Sequence, residues 1–131
     1  MLDVIVIGAG IMGAATAYEL AKYDLKVKVL EKEHDVSNGT SKANSGIVHA
    51  GYDAPEGTLM AKYNALGNAM YEDLCKEIDA PFKRTGSLVL AFSEEERANL
   101  TLLYNRGLKN GIPNMRIIEK EEVFAMEPKC K

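Results

Sequence analysis

The chain has 131 residues, a formal net charge of −3 and a sequence pI of about 5.4. This length suits about one domain, the positive charges are scattered rather than gathered in a basic stripe, and no apolar run reaches the roughly 18 residues of a membrane-spanning helix. The sequence therefore predicts a protein with no nucleic-acid partner and no transmembrane segment.

The first predicted elements are a strand, a helix and a second strand. Asp3–Ile7 is a β-branched apolar run, typical of a buried parallel strand. The good helix formers of Ile11–Lys22 predict a helix, and a second strand over 27–30 ends at Glu31. The strand and the helix are joined by the sequence Gly8-Ala9-Gly10-Ile11-Met12-Gly13. Strand, glycine turn, helix, strand and acid together are the context of a dinucleotide-binding fingerprint.

Each position of this fingerprint has a physical reason. Gly8 permits the tight turn, Gly10 lets the backbone approach a pyrophosphate, and Gly13 allows close packing of helix and strand. The free amides at the start of the helix attract a diphosphate. Glu31 is placed to accept hydrogen bonds from an adenosine ribose, and its charge repels a 2′-phosphate, which favours FAD or NAD over NADP. The alternative is an ordinary βα turn with Glu31 as a solvated strand end.

A long connection over residues 32–56 is rich in Ser, Asn, Gly and Thr. Loops of this length are uncommon in compact domains unless they bind something. Helical spacing of apolar residues then predicts an amphipathic helix over 57–78. The remaining predicted elements are strands over 82–85 and 87–92, a helix from a Ser93/Glu96 capping box to about Asn110, a strand over 115–118 and a short helix over 120–126.

The composition shifts near Ala80-Pro81. We therefore predict a nucleotide-binding part over 1–80 and part of a second, mixed α/β substrate domain over 81–131. Two parallel strands are fewer than a doubly wound sheet needs. The predicted fold class is α/β with an incomplete Rossmann-like βαβ unit. The chain is expected to be a fragment of a longer protein, unless another chain supplies the missing strands.

The segment Gly39-Thr40-Ser41-Lys42-Ala43-Asn44-Ser45-Gly46-Ile47-Val48-His49-Ala50-Gly51 carries a family resemblance. It resembles the FAD-dependent oxidoreductases of the D-amino-acid-oxidase-like superfamily, in particular the branch of flavin-dependent glycerol-3-phosphate dehydrogenases and L-2-hydroxyglutarate oxidases. Thr85-Gly86-Ser87-Leu88 and Glu127-Pro128 are similar to the middle of such enzymes. The resemblance covers the whole chain but only about the first third of a typical member, and it implies FAD as the cofactor.

The resemblance also implies which residues contact FAD. Those expected at its pyrophosphate and adenosine are Gly8, Gly10, Ile11, Met12, Gly13, Glu31 and Lys32. Those expected along the diphosphate, ribityl and flavin path are Thr40, Ser41, Asn44, Ser45 and Gly46, with Val48 and His49 near the isoalloxazine. Hydroxyls, an amide side chain and glycine amides suit ribityl hydroxyls and ring carbonyls. The usual catalytic side chains would follow Lys131, so none is assigned, and no residue spacing indicates a metal site.

The sequence leaves several alternative roles open for His49. It can lie beside the flavin and tune its electronics, receive a proton, attach the flavin covalently, or bridge loop backbone as a structural residue. Tyr52 and Asp53, which follow the motif, are predicted either to face the substrate or to form a turn. His34 lies in a charged turn and is expected to be solvated.

Two classes of function follow. The first is a flavoenzyme that transfers a hydride from a small polar substrate to FAD, with glycerol 3-phosphate preferred, L-2-hydroxyglutarate second and an amino acid third. The second is a non-catalytic, truncated nucleotide-binding fragment. An NAD-dependent dehydrogenase is a weaker alternative, because of the serine-rich segment after Glu31. We expect a cytoplasmic protein with reduced Cys75 and Cys130 and a self-associating fragment, and leave open a peripheral membrane contact of the longer protein.

Overall fold

The structure, a computed structural model, describes residues 1–130. These residues divide into two compact units, one of residues Met1–Ile47 and one from Val48 onward. This division differs from the predicted domain boundary at Ala80-Pro81, which concerns the longer protein and stays a prediction. Within the described residues no helix is both long enough and apolar enough to cross a membrane. The elements are β1 (Val4–Ile7), α1 (Ile11–Leu20), β2 (Val27–Leu30), α2 (Leu59–Glu77), α3 (Glu94–Lys109) and α4 (Lys120–Met126).

The first unit is the predicted βαβ unit. β1 and β2 pair in parallel, with Val4 opposite Val27 and Ile7 opposite Leu30, and α1 contacts both strands. The carboxylate of Asp3 accepts a hydrogen bond from the Lys26 amide at 2.8 Å, which fastens the two strand starts together. This arrangement confirms the predicted α/β class, although α1 ends at Leu20, before the predicted end at Lys22.

The second unit is built around a loop that both long helices hold. Asn110, at the end of α3, donates from Nδ2 to the carbonyls of Gly51 and Ala54 at 3.0 and 2.8 Å. Ala54 and Ala61, the latter on α2, are 2% and 4% exposed. Gly51 has φ +94°, and a Cβ there would lie 3.0 Å from a side-chain carbon of α2. Small residues at this contact let the loop backbone approach the helices closely.

Both long helices have a hydroxyl side chain as their N-terminal cap, which the sequence predicted only for Ser93. Thr58 caps α2, its hydroxyl accepting a hydrogen bond from the Ala61 amide at 3.2 Å. Ser93 caps α3 in the same way through the Glu96 amide, also at 3.2 Å. The Glu96 carboxylate accepts from the amide of Phe92 at 2.6 Å, one residue before the position that a standard capping box uses. α4 has the predicted bounds.

The strands predicted over 82–85, 87–92 and 115–118 are wrong for the described chain, where these segments are neither helix nor strand. Isolated strands are unstable because their amides and carbonyls need a neighbouring strand. The only described sheet is formed by β1 and β2, so residues 1–130 offer these segments no partner. Their apolar side chains are therefore exposed to solvent, Val89 to 43% and Phe92 to 75%.

Candidate cofactor site

The glycine turn between β1 and α1 disfavours larger residues, at Gly8 through its backbone conformation and at Gly13 through close packing. Gly8 has φ +95°, a left-handed conformation that favours glycine. A Cβ at Gly13 would lie only 1.8 Å from the carbonyl oxygen of Gly8 and 3.4 Å from a methyl group of Val6. The first turn of α1 therefore lies directly against the backbone of the turn, as the fingerprint predicts.

The N-terminus of α1 carries unpaired donors. The amide of Ile11 donates to the Ser41 hydroxyl oxygen at 2.8 Å. Within residues 1–130 the amides of Met12 and Gly13 have no acceptor. Such first-turn amides, together with the helix dipole, form a binding site for an anion. Because the Ser41 oxygen acts as an acceptor, its own O–H is free to donate to the same anion.

Gly10 keeps this end of the helix open. It is the N-cap residue, with extended backbone and no side chain. A Cβ at this position would lie 3.1 Å from the Ser41 hydroxyl oxygen. A side chain here would therefore crowd both Ser41 and the space in front of the free amides.

The Glu31 carboxylate joins the end of β2 to the glycine turn. One of its oxygens accepts from the Ala9 amide at 2.6 Å, and the other accepts from the amides of Lys32 and Glu33 at 2.8 and 3.0 Å. These bonds, that of Ala9 foremost, lower the pKa of Glu31 and keep it ionised. A carboxylate offers about four acceptor sites, so capacity remains for a hydroxyl of a ribose.

The remaining predicted residues of the first unit form one turn beside Ser41. The Asn44 side chain donates to the Ser41 carbonyl at 2.5 Å and accepts from the Gly46 amide at 2.7 Å. Thr40 and Ser45 are exposed near it. Lys32 lies apart from this group, since its ammonium group contacts Glu33 at 3.6 Å and its side chain is 87% exposed.

Val48 and His49 belong to the second unit. The Nδ1 of His49 accepts from the Gly51 amide at 3.2 Å, and its Nε2 lies 3.6 Å from a carboxylate oxygen of Asp53. The ring of Tyr52 is 6.4 Å from that of His49, centroid to centroid. Because Nδ1 is an acceptor, the neutral ring carries its proton on Nε2. The half-exposed imidazole therefore presents an N–H donor on the side of Asp53.

Sequence reasoning missed the residues that hold this loop. Asn68 of α2 donates to the His49 carbonyl at 3.1 Å. From α3, Arg106 donates to the Asp53 carbonyl at 2.9 Å, beside the two bonds of Asn110. The one available signal was the presence of the polar Asn68 within α2. It could not identify a partner 19 residues away, because the partner is a backbone carbonyl that any residue type supplies.

Glu31→Gln is expected to lower stability at neutral pH, because an amide cannot replace both carboxylate oxygens as acceptors. Since the pKa of Glu31 is lowered in the fold, its contribution is complete above the ordinary glutamate pKa, about 4.3, and is lost as the pH falls through the lower value of the folded state. The difference between parent and variant should thus shrink with acidification. Urea unfolding midpoints of the parent and the variant, measured from neutral to acid pH, test this expectation.

The matched control is Glu33→Gln, since the Glu33 side chain is exposed and only its backbone amide contacts Glu31. It should show little difference from the parent at any of these pH values. A stability loss in Glu31→Gln that stays constant through acid pH would contradict the assignment of the carboxylate bonds.

The glycine turn, the free helix amides and the acidic end of β2 define a nucleotide-binding βαβ unit. The family of FAD-dependent oxidoreductases (DAO) matches the chain over residues 3–131. The chain belongs to this family, which confirms the predicted resemblance and FAD as the cofactor.

Individual relatives agree with this assignment. A glycerol 3-phosphate dehydrogenase of Caloramator mitchellensis is 55% identical over 98% of the chain and 27% of its own length. A mitochondrial L-2-hydroxyglutarate dehydrogenase of Dictyostelium discoideum is 39% identical over 96% of the chain and 29% of its length. The solved L-α-glycerophosphate oxidase of Mycoplasma pneumoniae, dithionite-reduced with FAD bound, superposes with a TM-score of 0.81 and 37% identity. That match covers 97% of the chain and 34% of the oxidase, so the chain spans about a third of such relatives.

Proposed function

We propose that this chain is the N-terminal, FAD-binding part of a flavoenzyme that oxidises glycerol 3-phosphate. The observation that carries this proposal is the 55% identity to a glycerol 3-phosphate dehydrogenase across almost the whole chain. The likeness to an FAD-bound glycerophosphate oxidase supports it. Bound FAD would accept a hydride from the substrate carbon that bears a hydroxyl group.

The chain's own residues would bind the cofactor. The free amides of Met12 and Gly13, with the Ser41 hydroxyl, would hold the diphosphate, and the remaining acceptor capacity of Glu31 would hold the ribose. The unpaired donors at the α1 N-terminus support this assignment, because a diphosphate supplies the acceptors they lack. Further contacts proposed along the cofactor come from Gly8, Gly10, Ile11, Lys32, Thr40, Asn44, Ser45, Gly46, Val48 and His49.

The assignment of two residue ranges to two domains is part of the same proposal. Residues 1–80 would bind FAD, and residues 81–131 would begin the substrate domain. The unpaired apolar segments 82–85 and 87–92 support this division, since they are suited to a sheet completed by residues outside the chain.

The test is anaerobic mixing of the flavoprotein that carries this chain with sn-glycerol 3-phosphate. Loss of the oxidised flavin absorbance is expected, while glycerol, which lacks the phosphate, should leave it nearly unchanged. Reduction by L-2-hydroxyglutarate alone would transfer the assignment to the second relative's substrate. A protein that purifies without flavin and takes up none would contradict the proposed function and favour the non-catalytic alternative.

The two histidines of the chain provide a matched pair for the same assay. His49→Ala is expected to slow flavin reduction at least tenfold if the ring acts on the reacting groups, since proton transfer by a positioned side chain contributes about 10²–10⁴-fold. His34→Ala should match the parent, because His34 is exposed in the turn after β2. Equal rates for the two variants would return His49 to a structural role in the loop.

A further inference from the structure

A hydrogen-bond chain connects the backbone of His49 to two charged residues. The Asn68 side chain donates to the His49 carbonyl at 3.1 Å. Arg84 donates through Nη1 to the Asn68 side-chain oxygen and through Nη2 to the Asn68 carbonyl, both at 3.0 Å. Its Nε donates to the Glu72 carboxylate at 2.9 Å. The three nitrogens of one guanidinium group are thus all engaged on α2.

Arg84 fixes which way the Asn68 amide points. A guanidinium group only donates hydrogen bonds, so it demands the oxygen of the amide. The NH₂ group must then face the His49 carbonyl, which only accepts. Arg84 is itself held, because its guanidinium lies 5.4 Å from the centroid of the Phe82 ring. The bond from Arg84 is also the main cause that lowers the pKa of Glu72, which stays ionised at neutral pH.

We propose that Asn68 is a positioning residue of the flavin site: oriented by Arg84, its amide holds the His49 backbone and so sets the direction of the His49 ring. This inference rests on the proposed function in one respect, the placement of His49 toward the flavin. The loop is held from the other side by the bonds of Arg106 and Asn110 from α3. Of these three helix side chains, Asn68 is the one that bonds directly to His49.

Asn68→Asp separates positioning from simple loss of structure. Aspartate keeps an acceptor for Arg84 and adds a charge to that contact, but it places an oxygen against the His49 carbonyl, where a donor is needed. The bond to Arg84 is kept, and the bond to His49 is replaced by a repulsive contact between two oxygens. Asn68→Ala removes the side-chain bonds to both His49 and Arg84. Arg84→Lys removes the planar guanidinium group but keeps the positive charge. The control is Asn105→Ala, the same change at an exposed position of α3.

Two measurements on the FAD-loaded protein that carries this chain test the proposal independently of turnover. Hydrogen exchange over residues 48–54 should become about tenfold faster in Asn68→Asp, because the Gly51 amide bond to His49 Nδ1 depends on the position of the loop. The absorbance spectrum or potential of the flavin should also shift. The limiting rate of flavin reduction should fall roughly tenfold to a hundredfold with little change in substrate affinity, as expected for misplacement of about 1 Å.

The outcomes distinguish the two proposals. Arg84→Lys should lie between parent and Asn68→Asp, and Asn105→Ala should match the parent. Faster hydrogen exchange without any change in the flavin spectrum or in the rate of flavin reduction would show that Asn68 only holds the loop. Unchanged hydrogen exchange would show that Asn68 does not hold the loop either. Either result overturns the proposal. A parent flavin that glycerol 3-phosphate does not reduce contradicts the proposed function instead, while the exchange and spectral measurements still decide the role of Asn68.

Discussion

Gly13→Ala is expected to abolish FAD binding and to destabilise the nucleotide-binding unit by about 3 kcal/mol, at the upper end of typical overpacking effects. The new methyl group would lie 1.8 Å from the Gly8 carbonyl oxygen, which is backbone and cannot rotate away. Either the turn opens or α1 moves off β1. Both changes displace the amides that we assign to the diphosphate. Flavin content after purification and the urea unfolding midpoint measure the two effects.

Gly67→Ala is the matched control, because it makes the same change inside α2. A Cβ at Gly67 meets nothing within 4 Å among the described residues. Alanine has the higher helix propensity, so this variant should gain up to about 1 kcal/mol and keep its flavin. A Gly13→Ala protein with full flavin content would show that the turn is not the diphosphate site.

The βαβ unit could be predicted from the sequence because its signals are local. A β-branched run, a glycine spacing and an alanine-rich run each specify the conformation of their own residues. β2 has the bounds that its apolar run predicts, Val27–Leu30. The loop after it was also predictable, since polar and small residues extend from Glu31 to the Thr58 cap.

The second unit was less predictable because its contacts are distant in sequence. The bonds from Asn110 to Gly51 and Ala54 join residues 59 and 56 positions apart. No spacing rule relates an asparagine at a helix end to carbonyls of a loop. The failed strand predictions have a similar cause, since the β-branched and apolar residues of 87–92 indicate a strand only when a partner strand is present.

Glu31 shows what the structure adds to a sequence motif. The spacing of the fingerprint predicts an acceptor for a ribose directly after β2, and this role stays a prediction. The three amide donors on the carboxylate could not be predicted, because they depend on how the glycine turn and the 31–33 backbone are directed. The same side chain therefore stabilises the turn before any ligand binds.

The 131-residue polypeptide by itself is expected to self-associate and to bind FAD weakly or not at all, with no turnover. The buried hydrophobic residues of the described chain are few and mostly small: Val6, Ala9, Ala54, Ala61 and Cys75. Cores of small units supply no more than about 3–5 kcal/mol. Large apolar side chains stay open instead, with Ile7 87% and Met70 65% exposed. Sedimentation velocity over a range of concentrations and FAD titration measure these properties.

The exposed apolar surface identifies a single residue at which the expected self-association can be tested. Phe92 is 75% exposed in a segment that forms neither helix nor strand, and exposed apolar side chains promote association between chains. Phe92→Lys should therefore shift the polypeptide toward the monomer, whereas Asn105→Ala, a change on the polar surface of α3, should not. The relatives that this chain matches are about three to four times as long. A stable monomer of 131 residues that binds FAD tightly and oxidises glycerol 3-phosphate with an artificial acceptor would show that the described elements suffice for the site.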